Sequence, residues 1–437
     1  MAFKQVRLGD YFKFEKGLGY KGEFLVEDSN VGLVGIDSQV PGGGYKENSE
    51  KAYSGPYKPE HVVDSGDVIV AATDITQDGS VLGSTLMIPE STNYETLIYS
   101  GDVMKAIPLK PDEFSLEYFY NLYRVEKYRR KVAYGDTGTT VRRLSEDGIC
   151  EQLVPLPELS TQLAINEIIS LIDQQIANNK SLSRNLEALA QSVFKSWFID
   201  FDPVNAKKNG EKPFGMDTET AKLFPDSFVK SELGDIPKGW NVVKFESLGK
   251  IVTGKTPSTK NEAYWGADVP FVTIPDMTRN RFTISAERYL SKLGADSQKN
   301  QYLPVGTTSV SCIASPGLVS YSFVDSQTNQ QINSIIPNSG TPREWLFFRI
   351  DSEIHQIKSR SGIGSVFSNL NKSDFSSLET IFASKELHEK FAEIAAPMLS
   401  EIETTTRASQ KLIELRTTIL DGLVSEKLKL QIESKAS

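Results

Sequence analysis

The chain is poor in the residues that build metal and disulfide sites. Only two cysteines, Cys150 and Cys312, and three histidines, His61, His355 and His388, are spread over 437 residues. They form no C-x-x-C pair and no ligand-like histidine spacing, so neither a disulfide framework nor a zinc site is expected, and a reducing cytoplasm fits. No stretch approaches the ~18 consecutive apolar residues that a membrane span needs. The opening Met1-Ala2-Phe3-Lys4-Gln5-Val6-Arg7 lacks the apolar core of a signal peptide. Catalytic patterns are equally scarce: there is no G-x-S-x-G, no H-E-x-x-H, no dinucleotide fingerprint and no short-spaced nuclease-like cluster of Asp, Glu and Lys. The N-P-P-[FY] or D-P-P-[FY] loop with which amino-methyltransferases grip a flipped base is missing, and Asp202-Pro203-Val204 is no substitute. A broad basic face is missing too. The net charge is −9, residues 1–157 hold 17 Lys and Arg against 24 Asp and Glu, and only residues 236–383 lean positive, with 15 against 12. Any contact with nucleic acid must then be local, or other subunits must neutralise much of the phosphate charge.

What the chain does have is a repeat. Val6-Arg7-Leu8-Gly9-Asp10-Tyr11-Phe12 is echoed by Phe245-Glu246-Ser247-Leu248-Gly249-Lys250-Ile251. Thr137-Gly138-Thr139-Thr140-Val141-Arg142-Arg143-Leu144 has a counterpart in Ile363-Gly364-Ser365-Val366-Phe367-Ser368-Asn369-Leu370, with both Gly and both Leu 226 residues apart. A helical tract follows each block. In the first, Ile165, Ile169, Ile172, Ile176, Asn179, Ser183, Leu186, Ala190, Val193 and Trp197 keep a strict 4-3 spacing. In the second, Phe391, Ala395, Met398, Ile402, Thr405, Ser409, Leu412, Arg416, Ile419 and Leu423 do the same, again offset by 226. A 3.5-residue period held over four heptads is a coiled-coil seam. Both seams turn polar at the centre, which weakens a pair but pins its register. The seam alone does not fix strand direction, and two separate amphipathic helices, each on its own block, are the plainer alternative.

The globular blocks read as mixed α/β. Val31-Gly32-Leu33-Val34-Gly35-Ile36, Val68-Ile69-Val70-Ala71 and Val269-Pro270-Phe271-Val272-Thr273-Ile274 look like strands between Gly/Pro turns, and residues 116–134 look helical. Residues 202–239, with Pro203, Pro213, Pro225 and Pro237 among charges and glycines, read as a linker. Gly249-Lys250-Ile251-Val252-Thr253-Gly254-Lys255-Thr256 fits the phosphate-loop pattern G-x-x-x-x-G-K-[ST] letter for letter. A working phosphate loop needs a buried strand before it and a helix after it. Here a short, partly apolar segment precedes and the polar Pro257-Ser258-Thr259-Lys260-Asn261-Glu262 follows, so a DNA-facing loop is the better reading.

Pro155-Leu156-Pro157-Glu158-Leu159-Ser160-Thr161-Gln162 and Leu186-Glu187-Ala188-Leu189-Ala190-Gln191-Ser192-Val193-Phe194-Lys195-Ser196-Trp197-Phe198-Ile199-Asp200-Phe201-Asp202-Pro203-Val204 carry a resemblance. Together they strongly resemble the central region of the specificity subunits of Type I restriction-modification systems. Leu223-Phe224-Pro225-Asp226-Ser227-Phe228, Leu233-Gly234-Asp235-Ile236-Pro237-Lys238-Gly239-Trp240 and Thr253-Gly254-Lys255-Thr256-Pro257-Ser258 through Tyr264-Trp265-Gly266 are similar too. The resemblance implies an α/β protein: two mixed α/β target-recognition domains (1–155 and 240–383), joined and spaced by two long helices (156–201 and 384–430). The helices would form an antiparallel coiled coil within an internal pseudo-two-fold repeat, with a linker at 202–239 and a tail at 431–437.

It further implies a cytoplasmic, non-catalytic subunit, each domain reading one half of a bipartite, asymmetric site in double-stranded DNA. The helices would set the gap and dock two methyltransferase subunits, and motor-endonuclease subunits would join for cleavage. No cofactor is expected on this chain; S-adenosylmethionine, ATP and Mg2+ belong to the partners. Base reading in the major groove uses Arg or Lys toward guanine and Asn or Gln toward adenine. Candidate readers in glycine-flanked polar loops are Lys16, Lys21, Lys46, Arg142 and Arg143 in the first block, and Lys255, Thr256, Lys260, Arg279, Asn280, Arg281 and Arg360 in the second. A non-catalytic protein–protein adaptor, two α/β modules on a coiled coil, is the competing expectation.

Overall fold

The computed structural model describes residues 3–40, 42–74, 81–90, 92–133, 142–313, 316–360 and 370–424; for 130–133, 142, 355–360, 423 and 424 it describes the backbone only. The chain divides into two compact units, residues 1–176 with 411–437, and residues 177–410. Among the described residues no helix is long and apolar enough to cross a membrane, and no three His, Cys, Asp or Glu side chains are grouped to hold a metal. Both cysteines are free thiols.

In unit one the central sheet runs Phe12–Lys16, Val103–Pro108, Val68–Ala71, Thr85–Met87, antiparallel throughout. Val68–Ala71 has all four residues buried, as its unbroken apolar run requires of a strand covered on both faces. A second sheet places Val31–Val34 parallel to Thr96–Tyr99. The expected strand over 31–36 thus ends at Val34, where Ile36–Ser38 turns as a 3-10 helix. Residues 116–133 form two helices, Leu116–Arg124 and Glu126–Ala133, parted at the extended Val125. A ribbon of Lys4–Arg7 against Leu153–Leu156 closes the unit just before the first long helix.

Unit two repeats this plan, with differences at the sheet edges. Its sheet runs Gly249–Thr253, Ile332–Pro337, Thr308–Ser311, Val319–Ser322, with Phe282–Thr283 added at the edge. Trp265–Val272 lies parallel to Gln327–Thr328, and Asn241–Lys244 pairs with Glu379–Phe382 before the second long helix. Leu8 N–H donates to the Gln152 carbonyl, and Phe245 N–H donates likewise to that of Leu378. Leu8 therefore matches Phe245, a shift of 237, and not the Ser247–Leu248 that sequence likeness suggests. The likeness found the right region in the wrong register: the flanking strands, Lys4–Arg7 with Asn241–Lys244 and Phe12–Lys16 with Gly249–Thr253, keep the shift of 237 on both sides of the turn. The second landmark of the repeat, 137–141 and 363–369, lies outside the described residues.

Two further expectations change. The run Val269–Ile274 is a strand only to Val272. A helix, Ile274–Arg279, then starts at Thr273, which donates its N–H and its hydroxyl to the Asp276 carboxylate, with Pro275 in the first turn. Residues 202–239 are no free linker either: they hold helices Asp202–Lys208 and Thr218–Lys222 and the hairpin Phe228–Ser231/Gly234–Pro237. The reason is aromatic. Phe224 packs edge-on to Trp197 at 5.4 Å, and Phe201 lies 5.6 Å from Trp240, so the segment buries its apolar side chains in the unit's core.

The long helices span Leu159–Phe198 and Lys385–Val424. Along the first, Ile165, Ile169, Ile176 and Ala190 are buried, and Ile172, Leu186 and Val193 half-buried. Along the second, Phe391, Ala395, Ile402, Thr405 and Ser409 are buried, and Met398, Leu412 and Ile419 half-buried, while Leu423 lies outside the described side chains. Within each unit the two helices run antiparallel. In unit one Asp173 bonds Arg416 at 2.6 Å, and Ile165 and Ile169 share a core with Leu420. In unit two Ser183 and Thr405 share a hydroxyl bond of 2.8 Å, and Phe194 meets Phe391 at 5.4 Å. The polar layer satisfies itself in part: Ser183 finds Thr405, whereas the Ser409 hydroxyl has no partner among the described residues.

Candidate nucleic-acid interface

Each unit gathers four chain segments at one ledge by the same device. In unit one Gly17 follows the strand Phe12–Lys16, and a Cβ there would lie 2.3 Å from the Tyr99 carbonyl oxygen. Only glycine lets the chain pass so close. Leu18 N–H then donates to Tyr99 O at 2.8 Å, laying the Lys16–Lys21 loop beside the turn at 100–102. The Asp102 carbonyl accepts from Ala72 and Thr73, and Leu144 N–H donates to Ala72 O. Arg143 pairs with Thr73 across a short ladder. In unit two a Cβ on Gly254 would meet the Asn329 oxygen at 2.1 Å, and Lys255 N–H donates to Thr328 O at 2.9 Å. Cys312 N–H donates to Gln331 O, and Leu370 N–H to Cys312 O.

This geometry disposes of the phosphate-loop pattern. Gly249–Thr253 is a strand, no helix opens at Gly254, and Gly254 is there for its close approach to Asn329. Lys255 is exposed, and Thr256 donates its hydroxyl to Gln330 Oε1 at 2.7 Å. Asn329, Gln330 and Gln331 therefore share the ledge with Lys255 and Thr256, and Gln330 is exposed. These carboxamides were not singled out from sequence, although Asn and Gln are base-reading types; a search for glycine-flanked cations passes them by.

The other candidates divide. Lys260 is exposed further along the same coil. Arg279 pairs with Glu287 at 2.7 Å on the surface, and Asn280 accepts from Phe282 N–H. Arg281 departs from expectation. Its guanidinium lies 2.6 Å from Glu187 and 2.7 Å from Asp351, over the Phe347 ring, with about a quarter of its surface exposed. Burial pushes the Glu187 carboxyl up more than Arg281 draws it down. Arg281 thus ties the domain to the first long helix within unit two and is committed to the fold. In unit one Lys16 faces Glu146 at 3.9 Å and Lys21 faces Glu23 at 3.5 Å, both well exposed. Lys46 and Arg143 are exposed too. The side chains of Arg142 and Arg360 lie outside those described.

A cleft of about 220 Å3 opens beside the unit-one ledge, lined among others by Tyr20, Asp37, Lys51, Thr73, Ser100 and Asp102. Lys51 bonds Asp37 at 2.5 Å, and that hydrogen bond raises the lysine's pKa against the opposing effect of burial. None of Tyr20, Asp37, Lys51 or Asp102 was anticipated from sequence. They come together only when the strand Val31–Val34 is set beside Thr96–Tyr99.

Two cationic, polar ledges, each on a copy of one α/β plan and each copy followed by a long helix, define a duplicated DNA-specificity protein. The comparisons agree. The family model described as "Type I restriction modification DNA specificity domain" matches residues 237–414. The Type I restriction enzyme HindI specificity subunit of Haemophilus influenzae is 32% identical over 339 residues, 68% of this chain and 74% of that one. The MjaIX specificity subunit of Methanocaldococcus jannaschii is 30% identical over 187 residues, 42% of this chain and 43% of that one. A crystal structure of a Type I S subunit from M. genitalium shares the fold, with a TM-score of 0.57 at 13% identity over 97% of this chain and 96% of that one. The chain belongs to the family of Type I restriction-modification specificity subunits. It is the DNA-recognition subunit of such a complex, not its catalytic part.

Proposed function

We propose that each unit's ledge reads one half of a bipartite, asymmetric DNA site, and that the paired long helices set the gap and dock two methyltransferase subunits. Motor-endonuclease subunits join for cleavage, and S-adenosylmethionine, ATP and Mg2+ are bound by the partners in the cytoplasm. One observation carries the reading: two copies of one plan present different chemistry at the same place. Unit two offers Lys255, Thr256 and Gln330, while unit one offers a carboxylate cleft. Identical copies would read a symmetric site; divergent ones read different halves. The chain's overall negative charge fits a subunit whose partners supply much of the phosphate neutralisation.

The test is to lengthen the helices. Four residues inserted near Ser181 and four after Thr406, opposite it in the antiparallel pair, add about 6 Å. At about 3.4 Å per base pair, the gap should grow by one or two base pairs with both half-sites unchanged. Methylation mapping of the complete complex reads gap and half-sites together. An unchanged gap, or altered half-site bases, contradicts the reading.

A further inference from the structure

The unit-one cleft holds polar groups short of partners. Asp37 is neutralised by Lys51. Among the described residues the Asp102 carboxylate, half-buried, meets only the Thr73 hydroxyl, at a long 3.5 Å. At the wall, Ser100 is 1% exposed, and its hydroxyl has no partner among the described residues. A buried hydroxyl left unpaired is costly and rare, and a polar visitor relieves it. The cleft has room for about seven waters at liquid density.

The cationic candidates of this unit flank the same cleft. Lys16 and Lys21 bracket the loop bearing Tyr20, Arg143 pairs with the Thr73 of its wall, and the Lys46 carbonyl accepts from the lining Ser49. Cations around a carboxylate floor suit a DNA duplex whose phosphates meet the rim while a base edge meets the floor.

Building on the reading that each unit reads a half-site, we infer that this cleft is a base-reading notch in which Asp102 selects a base offering an amino group in the major groove, cytosine N4 or adenine N6. An ionised carboxylate only accepts, so guanine O6 and thymine O4 at that position are repelled. Lys51, beside Asp37, supplies a donor for an acceptor on the same or the adjacent pair. Ser100 gains the partner it lacks in the free chain.

The test uses the full chain with its methyltransferase subunits, acting on duplexes with randomised half-sites and read by sequencing of methylated products. Asp102→Ala should cut discrimination at one position of one half-site about ten-fold or more, and leave the other half-site and the gap intact. Asp102→Asn should turn the preference at that position toward adenine, because a carboxamide pairs with N6 and N7 together. Ser100→Ala should leave the thermal midpoint unchanged or raised while weakening the same position several-fold, which a purely structural hydroxyl would not do. If Asp102→Ala fails to fold, both half-sites are lost together and the Asp102→Asn and Ser100→Ala variants decide. Normal methylation with both half-sites read as in wild type would overturn the notch and leave the half-site reading standing. A wild-type complex showing no bipartite motif would instead refute that underlying reading.

Discussion

Where the domain helix meets the long helices, both units place an ionic tie, Arg281 with Glu187 and Asp351 being that of unit two, but they differ in what surrounds it. Unit one uses charge: Arg124, its side chain 4% exposed, grips Asp173 with two bonds of 2.5 and 3.0 Å, and Arg416 adds a third at 2.6 Å. Unit two adds rings: Phe391 contacts Phe194, Trp197, Phe198 and Phe348 at 5.4–6.4 Å. Arg349 lies buried beside them, bonded to the Phe198 carbonyl at 3.0 Å. The difference teaches that the duplication preserves topology and lets contacts drift. Equivalent places in the two copies cannot be assumed to share energetics, or a target.

The largest expected effect breaks the ring box. Phe391→Ala empties a fully buried ring position and should cost about 3–5 kcal/mol of unit-two stability in denaturant unfolding. A loss under about 1 kcal/mol would show the box is not the core of that unit.

Next is the charge lock. Asp173→Ala strands the buried Arg124 and should cost about 2–3 kcal/mol of unit-one stability, discounted because Asp173 is one-third exposed. Replacing Arg124, Asp173 and Arg416 together by leucine should restore most of it, since a buried ionic cluster and an apolar one of similar volume are often near equal. If the triple variant is worse than the single one, the ions themselves hold the helices.

Acid separates the units as well. His388 is buried, stacked on Trp345 at 3.8 Å, and accepts from Ala383 N–H through Nε2. Burial, then the nearby Arg349, depresses its pKa to about 3. The unfolded chain takes up that proton below about pH 6.5 and the folded chain does not, so unit two should lose up to about 1.4 kcal/mol per pH unit from there downward. Asp173 behaves otherwise. Burial pushes its carboxyl up, but the Arg124 bond and charge, with those of Arg416, outweigh it and hold the pKa below its ordinary value. Its contribution is present above about pH 4 and is lost only as pH falls through that lowered value. Thermal unfolding between pH 7.5 and 4 should therefore soften unit two first; the reverse order would contradict these assignments.

The long helices were legible because a heptad is local: each seam position announces itself within four residues. Val68–Ala71 was legible for the same reason. Its counterpart Thr308–Ser311 was not, because Thr-Ser-Val-Ser carries no apolar run, yet all four are buried. Ser309 satisfies itself against Ser334 across the ladder at 2.8 Å, which no one-dimensional pattern reveals. Residues 202–239 misled through their prolines, which punctuate short elements here and do not loosen the chain. The ledges were half legible: Lys255 and Thr256 sit on a glycine-marked loop, but Gln330 and Asp102 arrive from turns far along the chain, and Arg281 looks free until Glu187 and Asp351 fold against it.

The central claim is that each unit reads its own half-site through its own ledge. Methylation mapping of the full complex carrying Gln330→Ala together with Thr256→Val tests it most directly, because both changes lie on the unit-two ledge alone. The account predicts about ten-fold or greater relaxation confined to one half-site, with the gap and the other half unchanged. Loss of discrimination in both halves, or in neither, would contradict it.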